Sequence, residues 1–292
     1  MTVSTYIDDC LRRKVIFFTG KGGVGKTSLT WATALACHAR GARVAVTSWS
    51  PFESDPEPAP EAQGITRIRL ETLSAFREYV LNILKFEAVY NAVFDNQVLR
   101  AFIQAAPGLP ETVVGGKIWD MYDKREQDLI LVDLPSSGHA VTFFSSPLGV
   151  SKLFSVGIIH RETEKILKMF RGEDTRIDLV ALPEELPLVE CIQLKAQLEN
   201  LLPFHFGFLH LNQCLPRFPV PHGCEGGLPP EATGPYHRYL ERVSREEAME
   251  KYVGELRLPT LRLPRLAAQS AEETLRGLTA ELEQQREHGG RG

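Results

Sequence analysis

Phe17-Phe18-Thr19-Gly20-Lys21-Gly22-Gly23-Val24-Gly25-Lys26-Thr27-Ser28 is the stretch on which the reading of this chain turns. Val15 to Phe18 have the character of a short buried strand, and Gly20 to Thr27 satisfy GxxxxGK[ST], the pattern of a phosphate-binding loop. Glycines let the backbone curl until successive N–H groups aim at one anion. A helix starting near Lys26 adds its own unpaired N–H groups and its positive end. In such a loop Lys26 reaches the β- and γ-phosphates, the Thr27 hydroxyl holds Mg²⁺, and Ser28 lies near the α-phosphate. Leu29 to His38 continue as the helix, so strand, loop and helix follow in the order the chemistry needs.

Working outward, Arg43 to Ser48 read as a second buried strand, ending at Trp49-Ser50-Pro51-Phe52-Glu53-Ser54-Asp55. Ligands of open α/β sheets bind beyond the carboxyl ends of strands, so that ending is a natural place for nucleotide sensing. Ile65 to Leu70 alternate like a half-buried strand. From Leu73 to Ala105 the period becomes helical, with more apolar surface than one helix face needs, which suits two packed helices or a greasy lobe. Glu111 to Tyr122 make another helix, interrupted or bent around Gly115-Gly116.

Asp128 to Asp133 form a continuous apolar strand of the central parallel kind. Asp133, at its carboxyl end, can meet the Mg²⁺ held by Thr27, directly or through water. Gly138 permits close backbone approach to a γ-phosphate, and His139 either follows that movement or simply faces solvent. Helices are expected over Val141 to Phe154 and Glu162 to Phe170, with breaks at Pro147-Leu148-Gly149 and Gly157. Thr175 to Leu182 is a strand, Leu188 to Leu201 a helix, and Phe204 to Leu211 a strand ending in Asn212-Gln213. An amide there can pair with a purine edge through one donor and one acceptor. Cys214 to Pro235 is expected to be a long loop. Helices follow from Tyr236 to Val253 and from Ala271 to Arg286, joined by Leu256-Arg257-Leu258-Pro259 and Leu261-Arg262-Leu263-Pro264.

This alternation predicts an α/β fold: a phosphate-loop NTPase with a mostly parallel central sheet flanked by helices and a small helical subdomain insertion. The 292 residues are read as one domain, 1–292, with 71–125 and about 141–170 as its helical segments. A formal charge of −4 makes no broad electrostatic case for nucleic acid. A start with Asp8-Asp9 before Leu11-Arg12-Arg13-Lys14 lacks the order of a signal peptide, and no apolar run reaches membrane-spanning length, so a cytoplasmic protein is expected. The five cysteines include no CxxC pair. Cys214 and Cys224 with His210 and His222 can be assembled into a zinc site, or can be loop and core residues.

The chain resembles the anion-transporting ATPase family, which includes the arsenical pump ATPase subunit and the ATPases that deliver tail-anchored membrane proteins. The resemblance is carried by GKGGVGKTS at Gly20 to Ser28, DLPSSGHA at Asp133 to Ala140, ALPEELPLVE at Ala181 to Glu190 and LNQ at Leu211 to Gln213. It implies ATP and Mg²⁺ as ligands and a face-to-face dimer in which Lys21 reaches the partner's nucleotide. By the same resemblance Lys26 and Thr27 bind phosphate and metal, and Asp133 with Gly138-His139 forms a second switch. Asn212 contacts adenine, and Pro264, or else Pro259, lines the base. Members usually carry Asp-Pro after the second strand, the aspartate positioning the attacking water, whereas this chain has Ser50-Pro51. The departure implies slow hydrolysis, unless Glu53 or Asp55 substitutes. It also leaves room for a non-hydrolysing scaffold, or for a regulatory subunit paired with an active paralogue. A small-molecule phosphotransferase using the same loop is a third reading. A single loop per chain implies a homodimer or heterodimer, and the helical lobe is a candidate surface for a protein client.

Overall fold

A computed structural model describes residues 5–49, 64–70, 108–218 and 230–285. Seven strands are present among the described residues: β1 (Val15–Gly20), β2 (Val44–Trp49), β3 (Thr66–Leu70), β4 (Leu129–Ser136), β5 (Thr175–Ala181), β6 (Phe206–Cys214) and β7 (Thr260–Pro264). They form one sheet in the order β3-β2-β4-β1-β5-β6-β7, and every described strand pair is parallel. The strand that feeds the glycine loop is therefore central, with β4 and β5 on either side.

Both faces are covered, and the period-2 alternation of β1 divides its side chains between them. Val15 and Phe17 enter a core with α3 (Leu109–Lys124), α4 (Ser137–Leu153), α5 (Ile158–Phe170) and α6 (Glu185–Leu201). Its centre is an aromatic cluster in which Phe17, Phe144 and Phe170 make edge-on contacts of 5.0 to 5.7 Å. Ile16 and Phe18 face the other core, with α1 (Tyr6–Cys10), α2 (Lys26–Ala39) and α9 (Ala271–Gln284). The chain is thus an α/β fold with a parallel sheet, flanking helices and a helical subdomain, in which α3, α4 and α5 also pack on one another.

Several local expectations change. Gly115-Gly116 does not interrupt α3: a side chain at Gly115 would stand 3.2 Å from Ile166 Cγ2, so the glycine lets α5 approach. Pro147 does not break α4, in which it is buried. The Ser145 and Ser146 hydroxyls donate to the Thr142 carbonyl in the turn the proline disturbs, at 3.2 and 2.6 Å. The expected loop to Pro235 gives way to α7 (Pro230–Ala248), followed by α8 (Glu250–Leu256). Pro230 suits a first turn, where its missing N–H loses no partner.

Two elements escaped the sequence reading. Helix α1 is held by a capping box, with the Thr5 N–H donating to Asp8 Oδ2 and the Asp8 N–H to Thr5 Oγ1. Strand β7 alternates buried Leu261 and Leu263 with exposed Arg262 on a sheet edge, where flanking prolines are tolerated. The helical call over Leu73 to Ala105 lies outside the described residues.

Candidate functional site

The loop Gly20 to Gly25 joins β1 to α2 at the carboxyl end of the sheet. Gly25 caps α2 with φ 94°, and a β-carbon there would stand 2.4 Å from Asn212 Nδ2. A β-carbon at Gly20 would meet the Val180 carbonyl oxygen of β5 at 2.1 Å. Both positions are closed to side chains, and exposed Gly22 and Gly23 have open space above them. Val24 is buried and anchors the loop. What remains is a backbone concavity at a helix N-terminus, the arrangement that suits phosphate.

Lys26 turns back into this concavity, donating to the Lys21 and Gly20 carbonyls at 2.9 and 3.3 Å. Burial pulls its ammonium below the ordinary lysine value, and the nearby Asp133 carboxylate opposes that shift. Thr27 Oγ1 donates to Asp133 Oδ2 at 2.5 Å. The register explains the meeting: Asp133 pairs with Phe18, so the aspartate emerges beside the strand that leads into the loop. Ser28 is half-buried in the same first turn. Thr27 and Asp133 offer hard oxygen donors that fit Mg²⁺. Gly138 and His139 fall in the first turn of α4, just after β4, with Gly138 exposed.

Asn212 is buried at the end of β6. Its amide donates to the Val24 carbonyl at 2.8 Å and accepts from the Gln213 N–H at 2.9 Å, so the LNQ segment sits against the loop. Pro264 ends β7 opposite Cys214, at the same edge of the sheet. Pro259 precedes the strand, roughly 16 Å away at ~3.3 Å per residue, so of the two prolines Pro264 is the one at the carboxyl end of the sheet.

Glu190, which the sequence reading did not single out, completes the cluster. Lys21 Nζ lies 3.0 Å from its Oε1, and Ser137 Oγ donates to its Oε2 at 3.3 Å. One carboxylate on α6 therefore ties the loop lysine to the start of α4. Its only sequence signal was its place at the end of the Ala181 to Glu190 stretch. Burial pushes the neighbouring Cys191 thiol up to about 12, so no thiolate nucleophile stands there at neutral pH.

The zinc alternative gains no support among the described residues. No group of three or more candidate ligands assembles there, His210 bonds to Asp178 at 3.1 Å, and the Cys214 thiol donates to the Leu211 carbonyl. Cys224, His222, Ser50, Glu53 and Asp55 lie outside the described residues. No described helix is long and apolar enough to cross a membrane.

Comparison with known proteins agrees with this geometry. The ATPase BagA of Mycobacterium tuberculosis is 28% identical over 226 residues, covering 68% of this chain and 64% of its own length. The chain thus spans somewhat less than two thirds of that relative. The arsenical pump-driving ATPase of Acidiphilium multivorum is 23% identical over 71% of this chain and 40% of its own length. An ATPase ASNA1 homolog of Entamoeba dispar is 23% identical over 70% of this chain and 77% of its own length. The sequence profile described as "Anion-transporting ATPase" matches residues 13–201, from the start of β1 to the end of α6, and on that match the chain belongs to the anion-transporting ATPase family.

Proposed function

We propose that this protein is a Mg²⁺-ATP-dependent dimeric switch ATPase, built as one domain over 1–292 with helical segments at 71–125 and about 141–170. The observation that carries the reading is the meeting of Lys26, Thr27 and Asp133 at one end of two adjacent strands. The loop N–H groups and Lys26 bind the phosphates, while Thr27 and Asp133 would hold the metal, which would supply positive charge against the phosphate oxygens. Asn212 and Pro264 face the base. Water attacks the γ-phosphorus in line: a bond forms from the water oxygen, and the bond to the β–γ bridging oxygen breaks. The electron pair leaves with ADP, and the water proton ends on solvent or phosphate. Lys26 and Lys21 of the partner subunit stabilise the developing charge.

Turnover should be slow, because a serine at position 50 can neither carry charge nor accept a proton at neutral pH. Losing one such preorganised group typically costs about 3 kcal/mol of barrier, roughly a hundredfold in rate. The same serine, with Lys21 engaged by its own chain's Glu190, favours a second reading as a nucleotide-bound scaffold or the regulatory half of a heterodimer. Phosphate release from ATP, measured for wild type and Lys26→Ala, tests the first reading, and equal rates would remove it. Nucleotide-dependent sedimentation with phosphate release at background would select the second. Absence of ATP binding by calorimetry would end both.

A further inference from the structure

The described residues hold eight exposed large apolar side chains, and five of them fall in one run of seven residues, Leu153 to Ile159, at the corner where α4 ends and α5 begins. Apolar side chains scattered singly over a surface need no account, but a contiguous group does. Leu153 and Val156 are 80% and 82% exposed, with Phe154, Ile158 and Ile159 exposed beside them. Helical spacing explains how the run arises: Ile159 continues the buried stripe of Thr163, Ile166 and Phe170 past the point where the core stops.

The corner is braced from below. Ser151 Oγ, near the end of α4, donates to Glu164 Oε1 on α5 at 2.8 Å, and His160 Nδ1 lies 3.2 Å from the same hydroxyl. Gly157 turns the chain at φ 95°, a conformation that favours glycine. Shape then decides what the side chains suit. A peptide helix needs a groove to enter, whereas side chains four-fifths exposed stand proud of the surface, as a tip that enters a soft apolar phase does. Charge points the same way. Exposed Lys152 and Arg161 bracket the run, and neither side chain makes a hydrogen bond or ion pair among the described residues. The nearest carboxylates are engaged, Glu164 by Ser151 and Glu162 by Lys165 at 2.7 Å. An apolar tip with unpaired cations at its base matches the acyl boundary and the phosphate level of an anionic bilayer.

We propose that the corner between α4 and α5 is a membrane-contact site, in which Leu153, Phe154, Val156, Ile158 and Ile159 enter the surface of an anionic phospholipid bilayer while Lys152 and Arg161 meet its phosphates. The contact is peripheral, since no described helix is long and apolar enough to cross a membrane. With a formal charge of −4 the chain as a whole gains nothing from an anionic surface, so the corner itself supplies the attraction. It lies about 25 Å along α4 from Ser137, at 1.5 Å per residue, and the inference needs no nucleotide in the loop.

The test is co-sedimentation of the full chain, without nucleotide, with vesicles of phosphatidylcholine alone and of equal parts phosphatidylcholine and phosphatidylglycerol. Wild type should bind the anionic vesicles more tightly. Leu153→Ser with Val156→Ser should weaken that binding about tenfold or more. Lys152→Gln with Arg161→Gln should weaken it about thirtyfold and leave the weaker binding to neutral vesicles unchanged. Leu186→Ser, which removes an exposed leucine elsewhere, is the control and should bind as wild type does. All five side chains are exposed, so the unfolding midpoints should not move. Absence of binding to anionic vesicles, or binding that either double variant leaves unchanged, overturns the site. Self-association of wild type without lipid, lost in the serine variant and unaccompanied by vesicle binding, would make the corner a contact between copies of this chain and overturns the bilayer as its occupant.

Discussion

Replacing Glu190 by Gln isolates the contact that holds Lys21 within its own chain. The substitution keeps an oxygen for the Ser137 hydroxyl, now 3.3 Å from Oε2, and removes only the charge facing Lys21 Nζ at 3.0 Å. The two side chains are 31% and 27% exposed, so the pair is partly shielded and is worth about 1 kcal/mol. If Lys21 must leave Glu190 to reach a partner's nucleotide, each protomer loses that energy on dimerising. Two protomers lose about 2 kcal/mol, so Glu190→Gln should tighten the ATP-dependent dimer about thirtyfold. Sedimentation of each protein with a non-hydrolysable ATP analogue measures the dimer constant directly. Glu162→Gln is the control: it breaks a comparable 2.7 Å pair with Lys165 on α5 and should leave the constant unchanged. A Glu190→Gln dimer no tighter than wild type would refute the claim that this pair restrains Lys21.

Three further outcomes follow from the geometry. Gly25→Ala puts a β-carbon 2.4 Å from Asn212 Nδ2 at φ 94°, so it should cost about 1–3 kcal/mol in urea unfolding and weaken ATP binding; an unchanged midpoint would count against the packing described. In the buried network of Arg176, Asp178 and His210, burial raises the Asp178 carboxyl, but Arg176 and hydrogen bonds from His210 and the Phe208 N–H outweigh it and hold the group below its ordinary value. A carboxyl lowered by folding stabilises above its unfolded value, near 4, and that stability is lost as pH falls through the folded value. Without Arg176, burial lifts the Asp178 carboxyl, so the variant takes up a proton that wild type does not. Arg176→Met should cost about 3–5 kcal/mol at pH 7, a deficit that shrinks as pH falls from the variant's raised value toward wild type's lowered one, and a deficit constant down to pH 4 would contradict it. Finally, phosphate favours the charged form of Lys26, whose value is lowered in the free protein. ATP affinity measured by calorimetry should therefore begin to fall below pH 10.4, where an ordinary lysine titrates, and constant affinity up to that pH would argue against Lys26 as the phosphate ligand.

How much of this was legible in the sequence depended on how local the cause was. The loop could be read because one strand, four glycines and a helix start act on each other within a dozen residues, and the apolar run ending in Asp133 announced a central strand by composition alone. Where a residue's meaning depended on its neighbour across the fold, local rules misled. Gly115 reads as a break until Ile166 is placed against it, and Pro147 reads as a stop until it is buried in α4. Strand β7 was hidden because Pro259 precedes it and Pro264 ends it, and only pairing with β6 gives it a ladder. Glu190 is the instructive case for function. On α6 it is an ordinary acidic residue, with no spacing that marks it. It acquires a role only because the sheet order sets β5, which leads into α6, directly beside β1 and its loop. The sequence therefore spoke for the groups proposed to bind phosphate, which are contiguous in one loop. It was silent on Glu190, the partner of Lys21, because an ion pair needs only proximity, and proximity here is a product of topology.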